Sequence, residues 1–291
     1  MYQRVLIAVD GSPWSDAAAA YAIALASRTG ATLRILSVST TPAVSSMPEA
    51  MGAADEMVLE AVESYSLDVL AQVSARAKDA GVSYKTLSKW GNAPEMIMHT
   101  AAEEQCDLIV LGSRALTGWK RLMMGDVSNA VTPKAQQPVL VIKQSPPPVP
   151  NTPLWRRVLV ATGGSPWSDA AVDHAISLAQ AQQLEMCVLY VESGRAWHDD
   201  DLAAVTSEGK NILALAEARA RAGGVSCQTY LAYGNRPAVI LETATEQACD
   251  VIILGSRGMS GWKRLMLGSV SNAVAAKAAL PVLIVKQFLS V

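Results

Sequence analysis

Cysteine is scarce in this chain. Four occur among 291 residues (Cys106, Cys187, Cys227 and Cys249), and no two stand in a C-x2-C pair. That argues against a disulfide-stapled secreted scaffold. Cys106 and Cys249 hold matching places just before predicted strands, where they read as small buried hydrophobes, with redox sensing as the alternative. Histidine is scarcer still: His99, His174 and His198 are too few and too far apart for a metal site. An excess of positive charge is missing as well. With 24 Lys and Arg against 26 Asp and Glu, the net charge is −2, so nothing draws the chain generally to nucleic acid or to an anionic membrane. No apolar run approaches the roughly 18 residues of a membrane span. The start, MYQRVLIAVDGS, lacks the basic-then-apolar layout of a secretory signal, and the expected location is a reducing cytoplasm. Neither GxxxxGK[ST], GxGxxG nor a GxSxG elbow occurs.

What the chain does have is apolar residues, 51% of the total, and a repeat. VLIAVDGSPWSDAA at 5–18 returns as VLVATGGSPWSDAA at 158–171. Later landmarks pair Gly91 with Gly234, Asp107 with Asp250, Gly112 with Gly255 and Pro138 with Pro281. The first copy therefore carries extra residues, which fall within 39–60, where Met47, Met51 and Met57 suggest an apolar flap. Between the copies, QSPPPVPNTP makes a stiff, extended spacer. Three segments follow: a first domain over 1–143, a linker over 144–154 and a second domain over 155–291.

Each copy alternates strands with helices. VLIAV at 5–9 is a continuous apolar run, as expected of a strand buried on both faces. Ser12-Pro13 supplies an N-cap followed by proline at the first helical position, and a helix over 13–28 stops at Gly30. Strands follow at 32–38, 83–89, 107–112 and 138–143, with helices over 54–80, from Pro94 to about 104, and from about 126. Pro133 is expected to interrupt the last helix, and Trp14 and Trp167 to staple helix starts to their domains. The pattern predicts an α/β fold: two tandem doubly wound domains, each a five-stranded parallel sheet of order 3-2-1-4-5. The ligand crevice of such a sheet opens beyond strands 1 and 4. The polar third strand belongs at an edge. The apolar last strands, PVLVIK and PVLIVK, are expected to pair with each other across a pseudo-twofold, and a further homodimer stays open.

At that crevice the second copy reads LGSRGMSGWKRLMLGSVSNAV, with Gly255-x2-Gly258-x9-Gly268-Ser269. Glycines let backbone approach a ligand, and a helix start at 268–269 gathers free N–H groups into an anion site. A loop that uses glycine only to turn is the competing reading. The strand-1 VxIAVDGS start, the Ala-rich helix, the GxxP before strand 4, and G-x2-G-x9-G-S followed by PVLIVK resemble the universal stress protein family. The resemblance spans nearly the whole chain, and the glycine spacing resembles that family's ATP-binding branch. It implies an adenine nucleotide alpha hydrolase-like fold, binding of ATP (with magnesium as a possible companion), a regulatory role in stress responses with a still unknown protein partner, and domain pairing through the last strands. Carried over by residue, Ala161, Thr162, Gly163, Val191 and Leu254 line the base and ribose end. Gly255, Arg257, Gly258, Gly268, Ser269, Val270 and Ser271 line the phosphate end.

Neither copy matches the family pattern throughout. The family's acid at the end of strand 1 is Gly163 in copy two and survives as Asp10 in copy one. The weaker set in copy one is Asp10, Val38, Gly112, Arg114, Gly125, Asp126 and Ser128, with Ala115 in place of the second glycine. Ala115 costs about 1–2 kcal/mol if positive φ is needed there. Asp126 places a carboxylate where phosphate would sit, a repulsion of about 4 kcal/mol at 4 Å and an effective dielectric of 20. Copy two is thus expected to be the main site and Asp126 an internal cap; a cation shared by Asp10 and Asp126 is the weaker option. Two rivals remain: a slow ATPase or nucleotide-transforming enzyme, and a scaffold for a protein or apolar ligand. The GWKR tetrads at 118–121 and 261–264 read as lids or interface loops, and HDDD at 198–201 as a solvated acidic loop.

Overall fold

The computed structural model describes residues 2–40, 53–114, 126–143, 148, 152–192, 199–256 and 267–286. The first half runs β1 (Arg4–Val9), α1 (Pro13–Thr29), β2 (Thr32–Ser39), α2 (Ala53–Asp79), β3 (Tyr84–Trp90), α3 (Ala93–Glu103), β4 (Leu108–Gly112), α4 (Asp126–Lys134) and β5 (Val139–Ile142). The second half repeats it as β6 (Arg157–Thr162), α5 (Pro166–Gln182), β7 (Glu185–Glu192), α6 (Asp199–Ala222), β8 (Cys227–Tyr233), α7 (Arg236–Glu246), β9 (Val251–Gly255), α8 (Ser269–Lys277) and β10 (Val282–Val285).

Local chemistry sets the element ends. Ser12 accepts a hydrogen bond from the Ser15 N–H, with Pro13 behind it, and Gly30 closes α1 at φ 70°. Ser165 and Ser168 form a reciprocal capping box at the start of α5. Asn92 and Asn235 cap α3 and α7 by accepting from the Glu95 and Ala238 N–H groups. Pro133 does not break α4, which continues through it to Lys134; a proline this near a helix end disturbs few backbone bonds.

The strands form one ten-stranded sheet in the order β3-β2-β1-β4-β5-β10-β9-β6-β7-β8. Each half has the expected order, with the polar β3 and β8 at the two edges. Neighbours are parallel everywhere except at the centre, where β5 and β10 run antiparallel with Leu140 opposite Leu283. The seam side chains Val139, Leu140, Val141, Val282, Leu283 and Ile284 are buried, so the joint is a core and not a polar contact. Pairing these strands removes two open edges. Alternate residues of β1 enter opposite cores: Val5, Ile7 and Val9 pack under α1 and α2, and Leu6 packs on the α3 and α4 side. Both cores run through the two halves. Polar ties add to the seam. Lys143 Nζ donates to the Ala276 carbonyl, Lys286 Nζ donates to the Thr132 carbonyl, and Tyr2 Oη and His174 Nε2 share a hydrogen bond of 2.6 Å.

Candidate functional site

Each half opens a pocket beyond its strand ends, where the sheet order reverses between β1 and β4 and again between β6 and β9. The C-terminal pocket encloses about 250 Å³. Of the residues expected there, Ala161, Thr162, Gly163, Val191, Leu254, Gly255, Gly268, Ser269, Val270 and Ser271 all line it. Arg257 and Gly258 lie outside the described residues, as do the GWKR tetrads and the histidine of HDDD.

The helix that faces this pocket starts without a side-chain cap. Gly268 holds the N-cap position of α8 at φ −59°, ψ 144°, and among the described residues no side-chain cap bond is made there. The opening N–H groups of a helix have no partner within it, so Ser269, Val270 and Ser271 present donors and the positive dipole end together. Ser271 Oγ is occupied, donating to the Gly255 carbonyl at 2.7 Å. That bond fixes α8 against the end of β9. Gly268 does not adopt positive φ; its value here is the lack of a side chain.

Gly255 has a different explanation from the one its motif suggests. A Cβ on Gly255 would lie 2.3 Å from the Trp167 carbonyl oxygen, and one on Gly112 would lie 2.4 Å from that of Trp14. These glycines let a helix start cross the strand end, so they build the pocket wall before any ligand arrives. The tryptophans themselves are half-buried and line the two pockets; they are more than staples for the helix starts.

At the other end of the C-terminal pocket, hydroxyls stand in for the missing acid. Ser168 Oγ accepts from the Gly163 N–H at 3.2 Å and from the Ser165 N–H at 2.9 Å, and Thr162 Oγ1 accepts from the Gly164 N–H at 3.3 Å. The motif reading passed over Arg236, the first residue of α7, whose Nε donates to the Val191 carbonyl at 3.1 Å. Aligning the copies gives the signal, because Arg236 falls where the first half has Ala93. Tyr190 also lines the pocket, where the first half has Ser37.

The N-terminal pocket is larger, about 330 Å³. Asp10, Val38, Gly112, Arg114, Asp126 and Ser128 line it; Gly125 and Ala115 lie outside the described residues. Asp126 is the first residue of α4 and is exposed. Asp10 Oδ1 accepts from the Ser12 N–H at 3.0 Å. Burial pushes the Asp10 carboxyl up, but hydrogen bonds from Ser12 and Ser15 and the charge of Arg114 outweigh it, leaving it below the ordinary carboxylate range. Arg114 sits over the Trp14 ring, 5.4 Å from its centroid. Among the described residues no group of three or more metal-ligating side chains gathers, and no helix is long and apolar enough to cross a membrane.

The universal stress protein family model matches residues 1–143 and again 154–286. Universal stress protein YxiE of Bacillus subtilis is 37% identical over 150 residues, which cover 46% of this chain and 100% of that protein. Universal stress protein Mb2028c of Mycobacterium bovis is 29% identical over 304 residues, 97% of each chain. A solved universal stress protein from Archaeoglobus fulgidus shares the fold along 98% of both chains, with a TM-score of 0.74 at 22% identity. Two family matches, together covering nearly the whole length, show that this chain belongs to the universal stress protein family and carries two of its domains in tandem.

Proposed function

We propose that this protein is a regulatory binder of adenine nucleotide in the cytoplasm, with ATP as the main ligand and the C-terminal pocket as its site. The observation that carries the reading is the uncapped start of α8 beside that pocket, where Gly268 offers no side chain to compete for the amides. An anion placed there meets backbone donors and a helix dipole together. Charge agrees, since Arg236 is the one cationic side chain in the described lining and no carboxylate stands with it. The base and ribose lie toward Thr162, Gly163 and Val191, and the phosphates toward Gly255, Gly268, Ser269, Val270 and Ser271, with magnesium carried on the phosphates. Binding and not turnover is favoured because the described lining offers no carboxylate or imidazole to act as a general base. Occupancy would then be read by a protein partner in a stress response.

Mass spectrometry of gently purified protein tests this directly. Copurified ATP, absent from a Gly268→Trp variant, is the expected result. Retention of the same nucleotide by that variant, or capture of a different molecule, overturns the assignment.

A further inference from the structure

One cluster of reactive side chains lies away from both pockets. Cys187 is the third residue of β7 and Cys249 stands two residues before β9, at the strand starts, whereas the C-terminal pocket opens at the strand ends. The turn after α7, with Ala248 at φ 48°, carries Cys249 into the same core as Cys187. The two are 5% and 1% exposed, and their thiols share a hydrogen bond. Cys227, the remaining cysteine of this half, packs against the core on the other face of the sheet.

The surroundings favour a thiolate on one member of the pair. The Cys249 thiol holds Cys187 below the ordinary thiol range, with help from the charge of Arg157 and the Tyr230 hydroxyl, although burial and Glu185 push the other way. Cys249 is held above that range, by Cys187 first and then by burial. Arg157 and Tyr230 are themselves anchored. Arg157 Nη1 donates to the Gln247 carbonyl at 2.8 Å, and Tyr230 Oη lies 2.7 Å from a side-chain oxygen of Gln228 and of Gln247. The pair therefore offers a nucleophilic sulfur and a second sulfur to resolve what it forms.

The first half has other chemistry at the same place. By register, Arg34 stands where the second half has Cys187, each beside the matching leucine of the neighbouring strand, Leu6 or Leu159. Arg34 pairs with Glu104 at 2.7 Å, and Lys85 reaches the same carboxylate at 2.6 Å. Cys106, the counterpart of Cys249, thus has a guanidinium near it in place of a thiol, and burial pushes it up to about 11. The second half replaces Glu104 and Lys85 with Gln247 and Gln228, and adds a second thiol.

We propose that Cys187 and Cys249 form an oxidisable dithiol, converted by hydrogen peroxide to an intramolecular disulfide. The Cys187 thiolate attacks one peroxide oxygen. The O–O bond breaks, and the departing hydroxide takes up the proton that Cys187 released, leaving water and a sulfenic acid. The Cys249 sulfur then attacks the Cys187 sulfur. The S–S bond forms, the S–O bond breaks, and the hydroxyl leaves as water with the Cys249 proton. The two thiols lose two electrons and the peroxide gains them. Hydrogen peroxide, little larger than water, suits so buried a pair; bulky disulfide reagents do not.

Mass spectrometry of the full chain tests this. The reduced protein is treated with hydrogen peroxide, quenched with catalase, alkylated in denaturant and digested. A peptide linking Cys187 to Cys249, two hydrogens lighter than its parts, is expected. Two of the four thiols should be lost, and dithiothreitol should restore both. Cys227→Ser should link as the parent does. Cys249→Ser should form no link and leave Cys187 as a sulfenic acid captured by dimedone. The parent experiment needs no variant and decides the pairing alone, whatever occupies either pocket. The proposal is overturned if all four thiols survive a dose that oxidises the exposed Met57, if the link joins other cysteines or two chains, or if Cys249→Ser yields no dimedone adduct at Cys187.

Discussion

Replacing Ser269 with aspartate copies into the C-terminal half the residue that the N-terminal half already carries at its equivalent position, Asp126. Ser269 is exposed and is the first residue of α8, so the new side chain displaces no core atom. An acid in a first helical turn is favourable by about 0.3–1 kcal/mol, and the fold should be unharmed or slightly more stable. Binding should respond in the opposite direction. A carboxylate about 4 Å from a phosphate is repelled by about 1 kcal/mol in bulk water and about 4 kcal/mol at an effective dielectric of 20. The pocket mouth lies between these limits, and about 2–3 kcal/mol corresponds to a loss of roughly 30–150-fold in ATP affinity. Isothermal titration of ATP into parent, Ser269→Asp and Ser269→Asn proteins measures it. Ser269→Asn should stay within about fivefold of the parent, since it adds size without charge. The deficit of Ser269→Asp should also shrink as salt rises from low to physiological strength, because the repulsion is partly screened. Equal ATP affinity for parent and Ser269→Asp, with intact folding, would refute the placement of phosphate at α8.

Three further outcomes follow from the packing. Gly255→Ala forces a methyl against the Trp167 backbone, at 2.3 Å before relaxation, and should cost about 3 kcal/mol or more, lowering Tm on the order of 10 °C; an unchanged melt would remove the close-approach explanation. Burial pushes His174 down to about 4 from 6.5, so the unfolded chain takes up the proton first and stability is lost as pH falls below 6.5. This group alone should remove about 2 kcal/mol between pH 7.5 and pH 5, and urea midpoints of a His174→Gln variant should lose that part of the slope; an identical slope in the variant contradicts the reading. Cys106, Cys187 and Cys249 are buried and Cys227 is half-buried. Ellman's reagent should therefore titrate Cys227 alone, slowly, in the native protein and all four thiols in denaturant, whereas rapid native reaction of two or more would point to the redox alternative.

The sequence by itself determined the elements and their order. Continuous apolar runs such as VLIAV and DLIVLG can satisfy burial on both faces only inside a parallel sheet with helices above and below, and the serine, asparagine and proline caps mark the helix starts locally. The repeat fixed two matching halves and, through the apolar last strands, their meeting edge. The motif also located most of the C-terminal pocket, because its residues sit at strand ends that the topology must bring together. Three things were decided only by tertiary structure. Gly112 and Gly255 look like ligand glycines in one dimension, and only the crossing of α1 and α5 over the strand ends shows that a Cβ would strike the Trp14 and Trp167 backbones. Arg236 is a variable position inside the GxxP motif, and only the fold brings it to the pocket, with its Nε on the Val191 carbonyl. The open N-terminal pocket is the third. Its broken glycine motif suggested loss, but volume depends on what the surrounding helices and strands fill, and here they leave a larger, acidic space. A local pattern reports which backbone shapes a segment favours; whether two distant segments touch, or leave room between them, is settled by packing.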